Sequence, residues 1–338
     1  MSFIDNIWYG KNTKSYLARV PLLPLSVIFQ AVTALRRFLY HSNLLKSSAP
    51  GVPIVIIGGI TVGGAGKTPL CVALVNALKK EGFHPGVLSR GYKAQTKVFP
   101  YQVKSDDDAA ICGDEPLLIK TSTSVPVIID PIRTRGALAL ADLGVDVIIT
   151  DDGMQHYALK RDIEIVVLDG KRMLGNGLLM PAGPLREGKW RLNTVDAVVV
   201  NGKSSNKDFY SMCLTPRAPR PLNCLSDERI EPGALVCALA GIGNPQRFYN
   251  TLKDCGFIVA DTIEAYDHEC LDINILKNKA QTMPVVMTAK DGVKYQKHNL
   301  TNVFVLDVEA DLSQQFYLKI QAKIKESKNR VALRQNKV

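Results

Sequence analysis

Short apolar runs rich in Val and Ile recur along the first two-thirds of the chain, with stretches of helical periodicity between them. Ile54–Ile57 is a β-branched run behind a Pro50–Pro53 loop and reads as a strand buried on both faces. Runs at Val87–Leu88, Val125–Ile129, Val145–Ile149, Ile163–Leu168 and Ala197–Val200 repeat that signature. Helices are predicted over Lys67–Lys80, stopping near Gly82, and over Arg133–Leu143. Strands alternating with helices pack as an α/β, doubly wound parallel sheet covered on both faces. From Lys203 to Glu231, Ser, Asn, Pro and Arg replace the periodic pattern, and a linker or irregular hairpin is expected. A second series follows: a strand at Ala234–Ala240, a GIGNP turn, a helix over Gln246–Cys255, strands at Val285–Thr288 and Val303–Val308, and a helix from Leu312. The expected division is an N-terminal apolar and basic helical segment at 1–45, a main α/β domain at 46–228 and a smaller α/β domain at 229–338. The terminal stretch KIQAKIKESKNRVALRQNKV is basic and is expected to fray.

The N-terminal segment breaks the pattern. Val20–Leu35 is mostly apolar, with Arg19 before it and Arg36 and Arg37 after it. Its 16 residues fall short of the roughly 20 that a spanning helix needs, and Pro21, Pro24 and Gln30 interrupt it. Two readings stay open: a helix packed on the domain, or an interfacial helix with its apolar face in lipid and its basic flanks on anionic headgroups.

Composition narrows the class. Of 338 residues, 46% are hydrophobic and 22% charged, which excludes wholesale disorder. Seven cysteines without a C-x-x-C pair argue against a disulfide framework or a zinc site and for a reducing compartment. A net charge of +10 fits an acidic partner, whether nucleic acid, anionic lipid or a phosphorylated substrate.

The strongest chemical signal follows the first strand. Thr61, Val62, Gly63, Gly64, Ala65, Gly66, Lys67 and Thr68 form a strand–loop–helix phosphate loop, a Walker A pattern with Thr61 in place of its first glycine. The glycines let backbone N–H groups turn inward around phosphate oxygens, and the helix start adds its positive dipole end. Lys67 supplies a cation for the β- and γ-phosphates, and the Thr68 hydroxyl is a magnesium ligand. Asp151 and Asp152 end a buried strand and supply the carboxylates for that metal. There is no N-K-x-D guanine loop, since Lys290 and Asp291 are adjacent, so ATP is favoured over GTP. These residues alone leave three readings: a kinase, a nucleotide-driven switch or partitioning ATPase, and a synthetase that phosphorylates a carboxylate.

Beyond the loop the chain closely resembles the tetraacyldisaccharide 4'-kinase family, the lipid A kinases of Gram-negative bacteria. The resemblance runs through IWYG at 7–10, TVGGAGKTP at 61–69, SRGY at 89–92, GDEP at 113–116, DDGMQHY at 151–157 and RDIEIVVLDG at 161–170. It continues through GNGLLMPAGPLRE at 175–187, DAVVVNG at 196–202, AGIGNPQRF at 240–248 and the Asp267-His268 pair. Thr61 looks normal for that family. The resemblance implies transfer of the γ-phosphoryl group of ATP, with Mg2+, to the 4'-hydroxyl of an acylated glucosamine disaccharide 1-phosphate. It also implies a peripheral, monotopic enzyme on the inner-membrane lipid surface, facing the cytoplasm, with no nucleic-acid partner.

By resemblance, Asp114 of GDEP matches the family's catalytic carboxylate, His268 the histidine paired with it, and Arg133 the active-site arginine, alongside Lys67. From spacing alone Asp114 reads as a helix N-cap ahead of Pro116. Arg90 and Tyr92 would shape the acceptor pocket, Gln155 and His156 would line the same crevice, and Arg186 and Glu187 match a motif for substrate or metal. The family's T-E-K-D motif reads Thr288-Ala-Lys290-Asp291 here, so Ala289 stands where a carboxylate is expected.

Overall fold

The computed structural model describes residues 3–223, 228–263, 265 and 271–335, the last two by backbone alone. Three N-terminal helices, α1 (Phe3–Tyr9), α2 (Thr13–Arg19) and α3 (Leu23–His41), lead into the first sheet. Pro21 and Pro24 do not break the helical path. They sit in the first turns of a short 3-10 turn and of α3, where a proline has no helical N–H bond to lose.

The main layer contains β1 (Ile54–Gly58), α4 (Lys67–Lys80), β2 (Pro85–Ser89), β3 (Tyr101–Gln102), α5 (Ala109–Cys112), α6 (Asp114–Thr123), β4 (Val127–Ile129), α7 (Arg133–Asp142), β5 (Val147–Asp151), β6 (Ile163–Asp169), β7 (Ala197–Asn201) and β8 (Tyr210–Pro216). A second layer contains β9 (Arg220–Pro221), β10 (Leu235–Leu239), α8 (Pro245–Asp254), β11 (Ile258–Ile263), α9 (Ile273–Thr282), β12 (Val285–Thr288), α10 (Ala289–Tyr295) and β13 (Val303–Leu306). The chain then closes with β14 (Val308–Leu312) and α11 (Gln314–Gln335).

The first sheet has nine strands in the order β14-β8-β7-β6-β1-β5-β2-β4-β3, and the second has five in the order β11-β10-β12-β13-β9. In the first, the seven strands from β8 to β4 are parallel, and β14 and β3 are antiparallel edges. Along β1 the side chains alternate between two cores: Val55 and Ile57 face the α4, α6 and α11 side, while Ile54 and Ile56 face the α7 side.

Three expectations need correction. The segment expected as a linker or irregular hairpin at Lys203–Glu231 contains β8, which extends the parallel sheet, and β9, which joins the second sheet. The run expected as one strand at Val303–Val308 is split at Asp307: β13 stays in the second sheet, and β14 crosses back to pair with β8. The tail expected to fray is α11 as far as Gln335, and it buries Phe316, Ile320 and Ile324 against the first sheet. Strand membership therefore changes sheet twice, before β9 and before β14.

Candidate active site

The phosphate loop leaves β1 and opens α4. Gly66, the cap of α4, has φ 93°, and a Cβ placed there would lie 2.5 Å from Nδ2 of Asn201. Only glycine tolerates both the left-handed backbone and that approach. Asn201, buried at the end of β7, donates to the Ala65 carbonyl at 3.0 Å and clamps the loop from below. The other side is held by the 184–186 segment, where Val62 N donates to the Pro184 carbonyl and Arg186 N to the Ile60 carbonyl. Thr61 sits in this bridge opposite Leu185.

Lys67 and Thr68 start α4 beside the end of β5, because β1 and β5 are neighbouring parallel strands whose ends open on the same edge. Lys67 Nζ lies 2.7 Å from Asp152 Oδ1, and Arg186 Nη1 lies 3.2 Å from Asp152 Oδ2. Thr68 Oγ1 is 3.4 Å from Asp151 Oδ2. The two carboxylates are poised oppositely. Burial pushes Asp151 up to about 7, with Glu115 adding to it and Lys67 opposing it. Burial also opposes ionisation of Asp152, but Lys67 and Arg186 overcome it and hold the group at about 2. Among the described residues, Asp151 Oδ1 is buried without a hydrogen-bond partner. A hydroxyl and a carboxylate with an unsatisfied oxygen suit a hard cation that takes few protein ligands and keeps waters and phosphate oxygens, as Mg2+ does. Among the described residues no cluster of three or more His, Cys, Asp or Glu side chains forms a dedicated cage, and Mg2+ needs none.

Arg133, the first residue of α7, points under this carboxylate. Its Nη2 donates to the Asp151 carbonyl at 3.2 Å, while Nε and Nη1 are buried with no partner among the described residues. Burial pulls its pKa down to about 10. A buried, under-satisfied guanidinium at the mouth of a phosphate loop has the donors to suit an anion.

Asp114 heads α6, one residue after Gly113, which is at φ 94° and caps that helix. It is therefore the first helical residue rather than the cap. Its carboxylate is buried, and Lys294 Nζ of α10 lies 3.7 Å from Oδ2. The backbone of Tyr92 packs against Gly113, 3.1 Å from where a Cβ would stand, which brings the SRGY loop alongside Asp114. The Tyr92 side chain and Arg90 are exposed at this rim. Burial lowers the pKa of His156 to about 4, and the charges of Arg133, Arg90, Arg36 and Arg161 add to that shift. The crevice is therefore positive on the side of His156.

Gln155 donates to Glu187 Oε1 at 2.8 Å and to the Gly59 carbonyl at 3.2 Å. Glu187 also accepts from Tyr157 and from Arg191, and is buried. Neighbouring Arg186 and Glu187 face different partners: Arg186 turns to Asp152, and Glu187 turns inward to fix the loop after β5. His268 lies outside the described residues. Sequence reasoning passed over Asn201, Arg247, which donates to Asn201 Oδ1 at 2.6 Å, and Lys294. The first two lie in motifs already singled out, DAVVVNG and AGIGNPQRF. Lys294 lies three residues after Asp291 on one face of a helix, a spacing visible only once that helix is known.

A parallel sheet with a glycine loop, a lysine paired with a carboxylate, a hydroxyl beside a second carboxylate and a buried arginine at one edge defines a P-loop phosphotransferase. The family model of the tetraacyldisaccharide-1-P 4'-kinases (LpxK) matches residues 18–325. A tetraacyldisaccharide 4'-kinase of Shewanella sp. (strain ANA-3) is 46% identical over 316 residues, 93% of each chain. One of Shewanella baltica (strain OS155) is 43% identical over 332 residues, 96% of each chain. Among solved structures, a crystal structure described as the "apo" form of LpxK from Aquifex aeolicus in complex with ATP matches with a TM-score of 0.75 at 28% identity, covering 92% of this chain and 99% of that one. The chain belongs to the tetraacyldisaccharide 4'-kinase family.

Proposed function

We propose that this chain transfers the γ-phosphoryl group of ATP to the 4'-hydroxyl of a tetraacylated glucosamine disaccharide 1-phosphate, a step of lipid A biosynthesis. The O4'–H bond breaks and its proton passes to a carboxylate, for which Asp114 is the candidate. A bond forms from O4' to the γ-phosphorus, and the bond to the β,γ-bridging oxygen breaks, leaving ADP. Lys67 and the loop amides hold the β- and γ-oxygens, and Arg133 neutralises charge on the phosphoryl group in flight. Thr68 and Asp151, with Asp152 beside them, would hold Mg2+, which when bound supplies charge neutralisation on the triphosphate. Gln155 and Glu187 support this edge of the site, and Arg90, Tyr92 and His156 line the acceptor side. The two α/β units flank the site, with α6 from one and α10 from the other.

The observation that carries this reading is that a phosphate-gripping edge shares one chain with an apolar helix left open to its surroundings. Thr13–His41 is a 29-residue helical stretch, long and apolar enough to cross a membrane by length and composition, yet little of it is buried. Val27, Ile28, Val32, Leu35 and Phe38 each expose more than half their surface. The helix is also tied along its side to the protein body. The Ser26 hydroxyl donates to the Leu179 carbonyl and accepts from Ala182 N, and Tyr40 stacks on Tyr157 at 6.0 Å. A helix fastened broadside supports a monotopic anchor, lying in the headgroup region of the cytoplasmic face, over a spanning segment. Arg36 and Arg37 beside it, and the net charge of +10, suit anionic lipid and a phosphorylated lipid acceptor rather than nucleic acid. The decisive assay supplies labelled ATP, Mg2+ and detergent-dispersed tetraacyl disaccharide 1-phosphate. Label on the 4' position, dependent on acceptor, is the expected result. ATP hydrolysis indifferent to the acceptor overturns the reading.

A further inference from the structure

The Thr288-Ala-Lys290-Asp291 motif organises the contact between the two sheets. Thr288 caps α10: Asp291 N donates to its hydroxyl at 3.2 Å, and that hydroxyl donates to Asp291 Oδ2 at 2.7 Å. Gly241 N, at the end of β10, also donates to Asp291 Oδ2 at 3.0 Å. Asp291 is thereby fixed at the second sheet's edge, fully buried, and its Oδ1 accepts from Lys294 at 2.9 Å. Lys294 is buried as well, and its ammonium reaches across the seam to Asp114 Oδ2 at 3.7 Å. One turn earlier on the same helix, Lys290 pairs with Glu115 at 3.3 Å. The helix that presents these lysines also holds the segment that follows residue 270, since Leu271 N donates to the Tyr295 hydroxyl at 2.8 Å.

A buried ammonium is rarely free to move: Asp291, itself pinned by a backbone amide and a hydroxyl, fixes where the charge stands. The protonated amine has no lone pair, so it orients a neighbouring carboxylate without competing for the proton that carboxylate is to receive. We infer that Lys294, delivered by the second α/β unit, is the positioning residue for the Asp114 carboxylate, setting its geometry for proton removal from the acceptor hydroxyl. This rests on the reading of Asp114 as the base. Ala289 is compatible with it, because the line from Gly241 through Asp291 and Lys294 to Asp114 passes through no side chain at 289.

The test is a double-mutant cycle on the full chain, with turnover measured under saturating Mg–ATP and lipid acceptor, and with the KM for ATP and the melting temperature recorded for each variant. Asp114→Ala is expected to lower kcat by about 10²- to 10⁴-fold. Lys294→Met is expected to lower kcat by about 10- to 100-fold, the cost of a misplaced reacting group, with KM for ATP within about twofold. In the Asp114→Ala background Lys294→Met is expected to cost nothing further, and Lys294→Arg is expected to restore most of the loss. Because Lys294→Met strands the Asp291 charge, the cycle is repeated in Lys294→Met/Asp291→Asn, which removes both buried charges together. Equal loss from Lys294→Met with and without Asp114 would mean a general packing role and overturn the inference, as would full activity of Lys294→Met. A loss under tenfold for Asp114→Ala overturns the base reading, and the inference falls with it.

Discussion

Asp151 and Asp152 are neighbours in sequence and opposites in protonation. The first is raised to about 7, chiefly by burial, and the second is held at about 2 by Lys67 and Arg186. A carboxyl raised in the fold favours the protonated native state. Its contribution to stability is present below about pH 4 and is lost as pH rises through about 7. The melting temperature of the free protein is therefore expected to fall across that window, and Asp151→Asn is expected to flatten the fall. Identical pH profiles for the two proteins, measured by scanning calorimetry, rule this out. The ionised Asp151 that the free fold disfavours is the form a hard cation requires, so occupation of the metal site offsets its burial. Lys67→Ala removes the only cation in the phosphate loop and leaves Asp152 with Arg186 alone. It is expected to lower turnover by about 10²- to 10³-fold or more. Steady-state kinetics near the wild-type value would remove Lys67 from the site. The sequence showed both residues because the loop motif is local, and it left Arg133 to resemblance because a buried arginine is indistinguishable from an exposed one in a string of letters.

At the scale of elements, β1 and α4 are joined by a loop whose shape depends on one glycine. Gly66→Ala brings a side chain to a φ of 93° and a Cβ to 2.5 Å from the Asn201 amide. The left-handed penalty alone is about 1–2 kcal/mol. Displacing Asn201 also frees the Ala65 carbonyl that it holds. Mg–ATP affinity measured by calorimetry is expected to weaken at least about tenfold, the equivalent of 1.4 kcal/mol. Helix α3 is open to a different test. Val32→Asp/Leu35→Asp places two charges on a face where both residues are 59% exposed, so the fold has little packing to lose. Flotation with anionic vesicles is expected to fall steeply, while ATP binding stays intact; unchanged flotation would assign membrane contact to another surface. The apolar run and its flanking arginines were legible in the sequence. Which of the two readings holds was not, because an amphipathic pattern says that a face is apolar and not what covers it.

At the scale of the whole molecule, the chain enters the second sheet and returns. Strand β14 pairs with β8, and α11 then buries Phe316, Ile320 and Ile324 against the α4 side of the first sheet. Each such side chain contributes about 1.5–3 kcal/mol, so three together rival the 5–15 kcal/mol stability of a typical domain. Truncation after Asp307 is accordingly expected to leave a chain that does not fold cooperatively, observable as loss of a sharp thermal transition. A truncated protein melting like the full chain would return the tail to the frayed state that its charge suggested. The return also ties the second unit to the first at both its ends, and Arg247 on Asn201 and Lys294 on Asp114 fasten it across the site.

The sequence by itself determined the alternating sheet, the helix over Lys67–Lys80, the strand at Val285–Thr288 and the chemistry of the phosphate loop. Each is written in contiguous residues whose periodicity and turn chemistry act locally. Strand β8 escaped although Tyr210, Met212 and Leu214 alternate with more exposed neighbours, because the Ser, Asn, Pro and Arg on either side of this short run mask it. The tertiary structure alone decided that Glu187 turns inward, that Arg186 joins Asp152, that Arg133 lies beneath Asp151 and that a lysine 180 positions away faces Asp114. Those contacts join residues far apart in the chain, and no spacing along a sequence encodes them before the sheet edges and helix faces have met in space.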